Sequence, residues 1–97
     1  MKLYSDKELT KEVEDLDFGI VLAGETKELS FYLHNDVNAD VVELIPSVEN
    51  AEVRVLNYPK ELKQKESAPI VFAWTPELTV KKGLKALLNL KFFELYS

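Results

Sequence analysis

Hydrophobic and polar residues alternate along most of this chain with a period of two. In residues 27–35, Leu29, Phe31 and Leu33 fall on one side and Glu28, Ser30, Tyr32 and His34 on the other. That is the pattern of a strand with one buried face. The alternation recurs in residues 13–18, where Leu16 and Phe18 share a face, and in 51–58, where Val53 and Val55 oppose Arg54 and Leu56. It recurs again in 69–75, where Ile70, Phe72 and Trp74 oppose Val71 and Ala73. Residues 41–45 are apolar around Glu43, and Pro46 with Ser47 should end or bulge that strand. Gly19 and Gly24 bracket a short apolar run, which predicts a strand that bends and then turns.

The polar segments between these runs have turn chemistry. Asn35, Asp36, Asn38 and Asp40 lie within six positions, and such side chains hydrogen-bond the local backbone. Glu49 and Asn50 mark a second turn, and Pro59 stops the strand before it. Residues 60–67 read as a surface loop in which Leu62 tucks against the core, and 77–83 as a polar connection closing at Gly83. Residues 84–96 form the last strand, with Leu84, Ala86, Leu88, Leu90 and Phe92 on one side. Leu84, Leu87, Leu88 and Lys91 would also fit a helical stripe, but the regular spacing of strands before them decides for a strand. The expected core is Leu29, Phe31, Leu33, Phe72, Trp74, Leu88 and Leu90.

About seven strands in 97 residues predict an all-β protein, an immunoglobulin-like antiparallel β-sandwich. Residues 1–12 are charge-rich with no apolar face and read as an N-terminal arm or edge strand; residues 13–97 form the sandwich.

Composition then narrows the function. At 46% hydrophobic and 30% charged residues, the chain has enough apolar surface for a core. With no cysteine, thiolate zinc, iron–sulfur and cysteine-nucleophile chemistry are excluded, and one histidine excludes a multi-histidine metal site. The net charge of −5 argues against nucleic acid or an anionic membrane as the main partner. No apolar signal core opens the chain and no run is long enough to span a bilayer, so a cytoplasmic location is expected.

Specific residues resemble a family. Asp17-Phe18-Gly19-Ile20-Val21-Leu22-Ala23-Gly24-Glu25 is similar to the D-F-G-x-V-x-x-G-E opening of ASH-type immunoglobulin-like domains, relatives of the major sperm protein fold. Leu29-Ser30-Phe31-Tyr32-Leu33-His34-Asn35 resembles that family's alternating strand ending in asparagine. Pro59-Lys60-Glu61-Leu62 and Ile70-Val71-Phe72-Ala73-Trp74-Thr75-Pro76 resemble its later segments, and Leu84-Lys85-Ala86-Leu87-Leu88 its closing strand. The loop Lys63-Gln64-Lys65-Glu66-Ser67 departs from the family, which often carries Pro-Gly there. The resemblance implies a non-enzymatic binding or scaffolding module. By analogy of architecture it points to a virion accessory protein decorating a capsid or tail; the alternative is a cytosolic adaptor for cytoskeletal or trafficking proteins.

Chemistry-bearing residues are few. His34 is the one conventional general base, and as a solvated strand residue it needs no further role. Asp36, Asn38 and Asp40 resemble the start of a calcium loop, but Val41 stands at the sixth position, where glycine is required, and Ser47 at the twelfth, where glutamate is. Glu12, Glu14, Asp15 and Asp17 read as a solvated face, and Lys60, Lys63, Lys65, Lys81, Lys82 and Lys85 as loop charges. No catalytic residue, metal ligand or cofactor site is expected.

The surplus is apolar. Leu87, Phe93 and Leu95 face away from the core side of the last strand, and Tyr4, Tyr32 and Tyr96 are available to join them. These six residues are the expected partner-binding set, for a protein partner or for self-assembly, as a homo-oligomer or docked onto a lattice. The terminal arm folding over them is the other way to cover them.

Overall fold

The alternating segments pair as nine β-strands, with no helix among the residues that the computed structural model describes, 1–77 and 82–96. They are β1 (Lys2–Tyr4), β2 (Glu12–Val13), β3 (Leu16–Val21), β4 (Lys27–His34), β5 (Asp40–Val48), β6 (Val53–Asn57), β7 (Ser67–Trp74), β8 (Lys82–Ala86) and β9 (Leu88–Leu95). Every pairing is antiparallel. One sheet runs β2-β1-β4-β7-β6; β3 pairs with β8, and β5 with β9. Seven strands were expected. The difference arises because residues 1–13 contribute a hairpin to the five-stranded sheet and because the last strand is interrupted at Leu87.

One core joins the three sheets. Leu16 and Phe18 from β3, Phe31 and Leu33 from β4, Val41 and Leu44 from β5, Ile70, Phe72 and Trp74 from β7 and Ala86 from β8 all belong to it. Phe18 meets Trp74 with ring centroids 5.7 Å apart, tying β3 to the five-stranded sheet. Fully burying such side chains contributes about 1.5–3 kcal/mol each. Leu29, Leu88 and Leu90, expected inside, are half-buried and pack on the margin of this cluster. Leu62 is buried as its isolated apolar position suggested, and its backbone exchanges two hydrogen bonds with Val41.

Two strands change face partway along. In β3 the register shifts between Asp17 and Gly19, where Gly19 has φ +67° and its amide donates to Asp17 Oδ1 at 2.9 Å. The extra residue turns Val21 inward after Phe18 and leaves Ile20 75% exposed. In β5 Glu43 has φ 53° within a second shift, so Leu44 is buried and Ile45 is exposed. Pro46 does not end β5: it pairs with Leu90 and the strand continues to Val48.

The Asn/Asp-rich turn after β4 is organised by one buried side chain. Asn35 Nδ2 donates to the carbonyls of Ala39, Leu62 and Lys63 at 2.9, 3.0 and 3.1 Å, and Oδ1 accepts the Val37 amide at 2.9 Å. The Asn35 backbone adds bonds to Glu66 and Lys65. This residue clamps the end of β4 to both the β4–β5 turn and the 60–67 loop.

Candidate interaction surface

Alternation along β9 places Leu88, Leu90 and Phe92 toward the core and Asn89, Lys91, Phe93 and Leu95 outward. The pairing with β5 sets Val42 beside Phe93 and Ile45 beside Lys91, and directly opposed residues share a face. Phe93 (65% exposed), Leu95 (58%) and Ile45 (58%) therefore form one outward apolar group with half-buried Val42. The β5 bulge opens a shallow depression of ≈ 420 Å³ within this surface, lined by Glu43, Ile45, Lys91, Phe92 and Phe93.

The remaining members of the expected set lie elsewhere. Leu87 is exposed at the break between β8 and β9, about 20 Å from Phe93 at ~3.4 Å per residue along the strand. Tyr96 hydrogen-bonds the carboxylate of Glu94, two positions away and so on the face opposite Phe93. That bond raises the Tyr96 phenol above its ordinary pKa. Tyr4 and Tyr32 are paired to each other in the five-stranded sheet, both half-buried, with the Tyr4 ring edge-on to His34. Residues 1–13 do not cover Phe93 or Leu95: Leu3 is buried in the core and β1 pairs with β4. Ile45 was missed because the bulge that turns it outward is not visible in the pattern; Glu43 interrupting the apolar run was the available signal.

A second concavity, ≈ 240 Å³, lies between the five-stranded sheet and β9. Leu3, Val13 and Leu33 line one side and Leu88 and Leu90 the other, with Lys2, Glu12 and Glu14 also contributing.

Asp36, Asp40 and Asp6 have structural roles. Asp36 pairs with the Met1 ammonium, whose hydrogen bond holds its carboxyl below the usual range. Asp40 Oδ1 accepts the Gln64 amide at 3.0 Å. Asp6 accepts the Thr10 hydroxyl and the Thr10 and Lys11 amides, which lower its pKa and organise the β1–β2 connection. No group of three or more His, Cys, Asp or Glu side chains suited to a metal occurs among the described residues. Lys60, Lys63, Lys65 and Lys85 are exposed; Lys81 and the Lys82 side chain lie outside the described residues. No helix is long and apolar enough to cross a membrane among the described residues. Comparison of the chain with protein-family models, curated proteins and solved structures finds no match.

Proposed function

We propose that this protein is a non-enzymatic interaction module, an immunoglobulin-like sandwich that docks onto a protein partner through the outward face of β5 and β9. The observation that carries this reading is the group Phe93, Leu95 and Ile45, each more than half exposed on one face. Together they offer on the order of 300 Å² of apolar surface, worth roughly 7 kcal/mol on burial before the cost of association. Contiguous apolar surface of this order commonly marks a contact site. Glu43 and Lys91 beside it provide opposite charges for orienting a partner. A repeating protein lattice, as on a virion surface, is the partner class this reading favours.

The test compares wild type with Phe93→Glu by sedimentation velocity and affinity capture. The variant is expected to keep its circular dichroism spectrum and melting temperature, because Phe93 is outside the core, while losing the complexes that wild type forms. A variant that associates as wild type does, or one that unfolds, refutes this surface.

A further inference from the structure

The free edge of β9 is the longest unprotected strand edge described here. One edge of β9 is taken by β5, and among the described residues β9 has no other pairing. The other edges are blunted. β2 is two residues long and β8 five, β6 is bulged between Val55 and Asn57, β3 is bulged at Gly19, and the first half of β5 is held by the Val41–Leu62 bridge and by the Leu44 amide donating to the Lys60 carbonyl. β9 runs for eight residues with Lys91 as its one edge lysine.

The surroundings of that edge fit a guest strand. β5 packs toward β6, at the opposite end of the five-stranded sheet from β2. The free edge of β9 therefore points toward the β1–β2 side, where the ≈ 240 Å³ crevice lies. Its walls, Leu3, Val13, Leu33, Leu88 and Leu90, are apolar, and exposed Glu12 and Glu14 outnumber the one lysine beside them, Lys2.

We propose that this edge and crevice bind an extended, basic segment of a partner protein as an added antiparallel strand. Its backbone would complete the ladder of β9, alternate apolar side chains would fill the crevice, and lysines or arginines would meet Glu12 and Glu14. A second copy of this chain fits less well. Two chains of net charge −5 repel, and β9 itself carries one lysine, so it has little to set against Glu12 and Glu14. The inference rests on the reading of the protein as an interaction module but uses a surface separate from Phe93.

The probe is a capped synthetic peptide of four Lys-Val repeats, titrated into the full chain and followed by amide NMR and hydrogen exchange. Amides of residues 88–95 should shift, and those facing the free edge should gain protection. Glu12→Lys with Glu14→Lys should weaken binding by about tenfold, since two favourable charges become repulsive. A peptide N-methylated at alternate residues, with unchanged side chains, should not bind. Ile45→Glu, on the outward face but on β5 rather than β9, should bind the peptide as wild type does, so failure of the outward face leaves this inference standing. No binding at millimolar peptide, equal binding of the N-methylated peptide, no effect of the glutamate reversals, or shifts confined to Phe93 and Leu95 would each overturn it.

Discussion

Replacing Asn35 tests whether one side chain holds the β4 end, the β4–β5 turn and the 60–67 loop together. Asn35→Ala removes the donor to three carbonyls and the acceptor for the Val37 amide. The Leu62 and Lys63 carbonyls keep a partner, because they also accept the Val41 amide at 2.8 Å and the Glu66 amide at 3.0 Å. The Ala39 carbonyl and the Val37 amide lose their side-chain partner, at about 1 kcal/mol each. The expected loss is therefore ~2 kcal/mol, a sizeable share of the ~5–15 kcal/mol stability of a typical domain. Asn35→Asp is the sharper control. It keeps the size and can still accept from Val37, but it sets a carboxylate against the three carbonyls. Desolvation and repulsion raise the folded-state pKa of that aspartate above its unfolded value near ~3.9. Its ionised form is thus penalised at neutral pH, and the penalty shrinks as the pH falls through the raised folded value toward the unfolded one. The assay is urea unfolding followed by Trp74 fluorescence, at neutral and acidic pH. A loss below ~0.5 kcal/mol for Asn35→Ala would refute the clamp. So would an Asp variant as stable as wild type at neutral pH.

Other outcomes follow from the same structure. Trp74 is 1% exposed and donates Nε1 to Glu52 at 3.3 Å, so its emission should be blue-shifted relative to free indole. Trp74→Ala should cost about 3–5 kcal/mol by leaving a cavity; solvent-like emission would contradict the packing. Asp6 and Asp36 both have lowered folded-state pKa values, through the Thr10 hydroxyl and the Met1 ammonium respectively. Their stabilisation is complete above the ordinary carboxylate value and is lost as the pH falls through the lowered ones. Acid titration by NMR should therefore perturb the β1–β2 hairpin before the core amides of β7; simultaneous loss of both would argue against it.

The sequence by itself determined the strand class and most of the inward positions. Its two-residue period placed Phe31, Leu33, Ile70, Phe72 and Trp74 inside, and Leu62 stood out as the one large apolar side chain of a polar loop. It also put Phe93 and Leu95 outward, because alternation along one strand is a local property. Tertiary structure decided the rest. A single added residue inverts every later side chain of a strand, so the bulges at Gly19 and Glu43, which send Ile20 and Ile45 outward, depend on registers with distant partners. Asn35 was legible as a turn residue, but its partners at Leu62 and Lys63 are fixed only when the 60–67 loop closes over it. Tyr4 and Tyr32 fell apart from Phe93 because β1 pairs with β4 rather than lying over β9. The open edge of β9 is likewise invisible in the pattern. Hydrophobic alternation records which face is buried, whereas a free edge is set by which strands are left to pair with it.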